Sequence, residues 1–229
     1  MKFWILSVIL LVPVSAQTLH YTISWQSGLP LGEATLRASK SAPAISSEAP
    51  AVDDGKWSFE LLLDAAVPGL TIRDEYRSKA DAKFCSESLE KTVTRGPRKS
   101  TEKETFDQGS KKVKRETSGG GRSEFTAPDC AHDALAFLQF VRQELAQGRL
   151  VQSQPVFLGA KYDVQVTYIG TETIRIDNKA VEADKVRAAI RGPKADVTAE
   201  ILFARDAVRT PLLARLPLAL GTFTVEWAE

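Results

Sequence analysis

The chain has 229 residues, 43% of them hydrophobic, with 30 basic and 29 acidic side chains and two cysteines. That length suits one domain able to bury a sizeable core. The near-neutral balance supplies no field to gather nucleic acid or an anionic membrane, so those two partner classes are set aside.

The chain opens with Met1-Lys2, an apolar run from Phe3 to Val12, and Pro13-Val14-Ser15-Ala16. One positive charge, a short apolar segment and small residues before a cut predict a secretory signal peptide over residues 1–16. Cleavage falls between Ala16 and Gln17. No cysteine sits there to take a lipid anchor, and the apolar run is short for a retained membrane anchor. The expected mature domain is 17–229, exported, periplasmic or secreted, with no transmembrane helix left after cleavage.

Leu19, Tyr21, Ile23 and Trp25 alternate with His20, Thr22 and Ser24, which predicts a half-buried strand. Gly28-Leu29-Pro30 turns the chain into a second strand carrying Ala34, Leu36 and Ala38, so the two make a hairpin. Ser39 to Pro50 reads as a surface loop. Trp57, Phe59, Leu61 and Leu63 mark a third strand, Asp64 to Gly69 a turn, and Leu70 to Arg77 a fourth strand. Asp74 falls in the apolar register of that strand; pairing at the surface with Arg73 or another cation is the favoured reading.

Phe84 to Phe106 reads as a polar hairpin turning at Gly96-Pro97. Lys111 to Thr117 continues around Val113, and Gly119-Gly120-Gly121 is a turn. Cations and anions interleave from Lys91 to Arg122, which favours a solvated sheet face over a polyanion site.

Ala127 to Gly148 is the one strongly helical stretch. Leu135, Leu138, Val141, Arg142 and Leu145 recur at three- and four-residue steps, widened by Phe137 and Phe140. Asp129 is the expected cap, Asp133 adds charge to the first turn, and Gly148 suits a left-handed stop. Cys130 opens this stretch. In an exported chain a Cys85–Cys130 disulfide is the default, against two buried thiols or a labile redox pair.

After the helix, Tyr162, Val164, Val166 and Tyr168 alternate cleanly. Ile174 and Ile176, then Ala180 to Ile190, then Val197 to Phe203, and finally Phe223, Val225 and Trp227 mark further strands, with Asp177-Asn178, Gly192-Pro193 and Arg205-Asp206 as turns. Many short strands around one helix predict an α+β fold, mainly β: a strongly curved antiparallel sheet or incomplete β-barrel packed on that helix.

Several separated blocks resemble the domain-of-unknown-function family 3108. They are Tyr21 to Trp25 with Gly28 and Gly32-Glu33-Ala34, Phe106-Asp107, Cys130 with Asp133-Ala134-Leu135 and Arg142, Gly159 to Val166, and Leu202 to Asp206 with Pro211 and Gly221. The resemblance implies an exported bacterial envelope protein, and a shape similar to the curved half-barrel of lipoprotein carriers that hold acyl chains.

Catalytic signals are missing from the sequence. There is no Gly-x-Ser-x-Gly elbow, His-Glu-x-x-His helix or phosphate loop, and Asp53-Asp54 and Asp74-Glu75 do not define a cleft. His20 faces solvent by its register. His132 reads as a capping or surface residue rather than a metal ligand with Asp129 and Asp133. Arg142 is expected to pair with a carboxylate such as Asp206, with an anionic headgroup as the alternative. Trp25, Trp57, Arg142 and Tyr162 are the candidate ligand-binding residues; no catalytic residue, metal or cofactor is assigned. The reading is a non-catalytic envelope protein with an apolar cavity for a lipid-like ligand. The runner-up is an interaction module that binds an envelope partner through a sheet edge or apolar patch.

Overall fold

The computed structural model describes residues 16–40, 55–67, 69–176, 178–218 and 221–228. The predicted signal segment 1–15, most of the 39–50 loop, Asp53-Asp54 and Asp177 lie outside the described residues.

Among the described residues, fifteen strands and one helix follow one another. The first half holds β1 (Ala16–Trp25), β2 (Pro30–Lys40), β3 (Trp57–Val67), β4 (Leu70–Ala80), β5 (Ser86–Arg95), β6 (Arg98–Asp107), β7 (Lys112–Thr117) and β8 (Arg122–Thr126). A two-residue strand β9 (His132–Asp133) leads directly into α1 (Ala134–Ala146). Then come β10 (Gln154–Phe157), β11 (Lys161–Ile176), β12 (Lys179–Gly192), β13 (Ala195–Ala204), β14 (Pro211–Leu218) and β15 (Gly221–Ala228). The predicted turn at 64–69 is shorter than expected, because Asp64, Ala65 and Ala66 stay paired with Arg73, Ile72 and Thr71.

All fifteen strands join one sheet in the order β8-β7-β6-β5-β4-β3-β2-β1-β15-β14-β13-β12-β11-β10-β9. Short hairpins make nearly every neighbour antiparallel, and the closing strand β15 pairs back onto β1. The short β9–β10 pair is the parallel exception. A sheet this wide cannot stay flat; twist curls it, and α1 fills the concave side. The fold is therefore the mainly-β, curved, incomplete barrel around one helix that the alternation predicts.

The β9 end of the sheet comes back onto the start of β5 along a seam. Ser86 N–H donates to the Ala131 carbonyl (2.9 Å). Gln108 bridges both sides, donating to the Ser86 and Ala131 carbonyls and accepting from Ala131 N–H. The Cys85–Cys130 disulfide, with 4.6 Å between Cα atoms, closes the same seam. It ties the entry to β5 to the entry to β9 across 45 residues.

The helix begins later than expected. Asp133, not Asp129, is the N-cap: its carboxylate accepts from Leu135 N–H (2.8 Å) and Ala136 N–H (3.1 Å). Asp129 is exposed and pairs with Lys111 at 2.8 Å. The reason is tertiary. Cys130 adopts a left-handed backbone (φ 54°), and His132 and Asp133 are held extended against Val156 and Phe157, so the chain cannot turn helical before Ala134. At the other end Gly148 is left-handed (φ 71°) and stops the helix.

The helix divides the interior. One flank, through Leu135 and Ala136, meets Leu19, Tyr21, Ile23, Leu36 and Phe59 from β1–β3. The other flank, through Phe137, Val141 and Leu145, faces Val156, Val164, Val166, Val186 and Phe203. A third cluster under β5–β8 gathers Leu89, Phe106, Val113 and Phe157. Among the described residues no helix is long and apolar enough to cross a membrane.

Candidate ligand-binding site

The second flank of the helix is not filled. Ala134, Phe137, Leu138 and Val141 project from α1 at three- and four-residue spacing. Val156 of β10, Tyr162, Val164 and Val166 of β11, Val186, Ala188 and Ile190 of β12, and Ile201 and Phe203 of β13 project from alternate sheet positions to meet them. Alanine at 134 and 188 and valine at five further positions are too short to close the gap. A cavity of about 240 Å³ remains, and Tyr162 is the one lining residue that carries a side-chain polar atom.

Of the four residues singled out from the sequence, the structure brings Tyr162 to this cavity and not the others. Trp25 stacks on Phe223 at 5.9 Å. Trp57 stacks on Phe59 and tilts against Phe84 beside the disulfide. Arg142 lies 2% exposed on another side of α1. Its expected partner was a carboxylate; the guanidinium instead donates to neutral oxygens, the carbonyls of Val208 and Arg209 and the side-chain oxygens of Gln139 and Gln17. Burial holds its pKa down, while the nearby Tyr21 hydroxyl and Asp206 act in the opposite sense. The donors are engaged, so Arg142 ties α1 to the 208–209 turn and β1.

The histidines and Asp74 also differ from expectation in part. His20 is exposed beside Thr35 (Nδ1 to Oγ1, 3.3 Å). His132, read as a surface or capping residue, is buried: Nδ1 meets the Phe84 carbonyl at 2.8 Å and the ring stacks on Phe140. Burial lowers its pKa, the Phe84 bond working against that. Asp74 is not a surface pair. It is buried on the inner face and takes two hydrogen bonds from Arg95 of β5, with the Tyr76 hydroxyl at 3.3 Å.

The charged middle of the chain needs the largest correction. Glu90, Lys103, Lys112, Glu116, Arg122 and Glu124 do form solvated pairs. The alternate positions turn inward. Asp133 is fully buried and is the hub of a polar floor, accepting from Ser78 Oγ (2.6 Å) and Ser86 Oγ (2.7 Å) as well as the helix amides. Burial raises its pKa, and these four donors oppose the rise. In the next row Glu104 sits 1% exposed between Leu89 and Arg115. Burial pushes its carboxyl up to about 7, reinforced by Glu102 and Asp133 and opposed by the Gly159 amide and Arg115. Glu102 is ion-paired with Arg115. Gly159 is left-handed (φ 72°), and a side chain there would collide with the Glu102 carboxylate. Strict alternation with Phe106 was the signal that placed Glu102 and Glu104 inside; the density of surrounding charge masked it.

Both cysteines are in the disulfide, and among the described residues no cluster of three or more His, Cys, Asp or Glu forms a metal site. Nothing positive points to catalysis.

Comparison with known proteins agrees with the fold. A β-barrel-like protein of the domain of unknown function DUF1849 from Brucella abortus superposes with a TM-score of 0.66 at 8% identity, covering 94% of this chain and 96% of its own. At that identity the likeness is one of fold alone. Among curated proteins no sequence matches. The profile described as "Protein of unknown function (DUF3108)" matches residues 20–227, nearly the whole described chain, and the protein therefore belongs to the DUF3108 family.

Proposed function

We propose that this protein is a non-catalytic binding protein of the cell envelope whose cavity holds a lipid-like, apolar ligand. The observation that carries the reading is the 240 Å³ space between α1 and β10–β13, walled by aliphatic and phenyl groups. Native interiors are close-packed, and a void of this size forfeits packing energy unless something occupies it. It exceeds the ~150 Å³ apolar cavity known to bind benzene and falls below the ~300 Å³ typical of the smaller drug-sized sites, which fits one slender chain. The disulfide at the seam is compatible with an oxidising, exported compartment. Envelope-partner binding through the β8 edge is the weaker reading, since Arg122 and Glu124 place charge on that five-residue strand and discourage pairing.

Protein recovered from the exported compartment tests the reading by native and denaturing mass spectrometry. A reproducible organic mass lost on denaturation supports it. The fluorescent probe N-phenyl-1-naphthylamine should bind the emptied wild type, and Ala188→Phe, which fills the cavity from β12, should abolish that binding while leaving the disulfide and the circular dichroism unchanged. Probe binding that survives Ala188→Phe places the ligand elsewhere and sinks the proposal.

A further inference from the structure

Polar groups lie behind the Leu158–Tyr162 end of the cavity. Leu158 and Tyr162 line the cavity, and Gly159 lies between them with its missing side chain facing the Glu102 carboxylate. Glu104 stands beside Glu102 on the inner face of β6, and both act electrostatically on the Tyr162 hydroxyl. Buried polar atoms are almost always partnered. Here both Glu104 carboxyl oxygens and Glu102 Oε1 are buried without a well-formed hydrogen bond, and so is Arg115 Nε beside them.

The charge balance is short on the positive side. Arg115 of β7 is the cation in contact with the pair, and it is already committed to Glu102. Asp133, at the start of α1, adds a further negative charge satisfied by neutral donors. From β11 comes the Tyr162 phenol, and from the β10–β11 turn the Gly159 amide. Two carboxylates therefore share one guanidinium behind the Leu158–Tyr162 end of the cavity, with Arg115 Nε and the Gly159 amide as their nearby donors and one positive charge too few.

We propose that the cavity's occupant is a cationic amphiphile: an aliphatic primary amine whose chain lies between α1 and β10–β13 and whose ammonium sits against Glu102 and Glu104. An ammonium brings three donors and the one positive charge that the two carboxyls lack. A fatty acid would set a third carboxylate beside them, and an alcohol would bring one donor and no charge. This inference rests on the cavity reading above.

Competition against N-phenyl-1-naphthylamine on the full-length protein separates the two ideas. Decylamine, decanol and decanoate share a chain and differ in the head. At pH 8 decylamine should displace the probe at a roughly tenfold lower concentration than decanol, with decanoate weakest; one added charge-assisted contact is enough for that ratio. Glu104→Gln should bring decylamine and decanol together without weakening decanol. Should that variant fail to fold, wild type at pH 6 serves: the amine's advantage shrinks as Glu104 takes up a proton. Equal displacement by amine and alcohol at pH 8 overturns the head-group assignment and shows that a proton alone satisfies Glu104, while the cavity reading stands. Failure of the probe and every decyl compound to bind removes the cavity reading and this inference together.

Discussion

Replacing Glu104 with glutamine should make the protein more stable at pH 8 and leave it nearly unchanged at pH 4. The folded chain holds this carboxyl at about 7 against an ordinary 4.5, chiefly through burial. Between those values the folded state binds one proton more than the unfolded state. Stability contributed by Glu104 is therefore full below about 4.5 and falls as pH rises to about 7, by up to 1.4 kcal/mol per pH unit. The accumulated loss above pH 7 is about 3 kcal/mol. Glutamine keeps the shape and cannot ionise, so the variant escapes the loss. For a chain of this size that is a rise of roughly 6–12 °C in Tm at pH 8. His132 contributes a slope of the opposite sign, because its pKa is lowered: the unfolded state binds the extra proton just below 6.5, and stability rises with pH there. The assay is urea unfolding of wild type and Glu104→Gln at half-unit intervals from pH 4 to 8, where the His132 contribution cancels in the difference. Parallel stability curves across pH 4.5–7 would refute the reasoning, since they require a Glu104 that is solvated or paired in the folded chain.

Asp133→Ala removes the acceptor of four buried donors, from Ser78, Ser86, Leu135 and Ala136. It should cost about 3 kcal/mol and lower the helical signal, whereas Asp129→Ala, at an exposed pair, should cost under about 1 kcal/mol. Equal costs in urea titrations would return the cap to Asp129. Cys85→Ser/Cys130→Ser opens the seam and frees a 45-residue loop, a loss of about 4 kcal/mol in the chain-entropy account. The same loss should follow reduction of the wild type, and a double variant insensitive to reductant and equal in stability to the oxidised wild type would contradict it.

The architecture was legible because its strands carry their own signal. Tyr162, Val164 and Val166 alternate with Lys161, Asp163 and Gln165, and that period-two pattern survives any register. The helix stripe from Leu135 to Leu145 and the stop at Gly148 are equally local. The helix start was not. Asp129 and Asp133 are both good caps by composition, and the choice fell to a long-range pairing of His132–Asp133 with β10. Arg142 shows the same limit: an arginine on an apolar stripe demands acceptors, but the carbonyls of Val208 and Arg209 that supply them lie 66 and 67 residues away.

The candidate site depended most on the three-dimensional arrangement. Local periodicity names which side chains face inward; it does not tell how far apart two inward faces will settle. Whether Ala134 and Ala188 oppose large residues or each other is a matter of register between α1 and β12, and that register leaves the cavity. Glu102 and Glu104 were marked for the interior by alternation with Phe106, yet their consequence depends on Gly159 and Tyr162 arriving from the far edge of the sheet. Burial, and with it the pKa of a carboxyl and the need for a partner, is a property of everything packed around the group. Short-range pattern sets the elements in this protein, and the meeting of distant elements sets the chemistry.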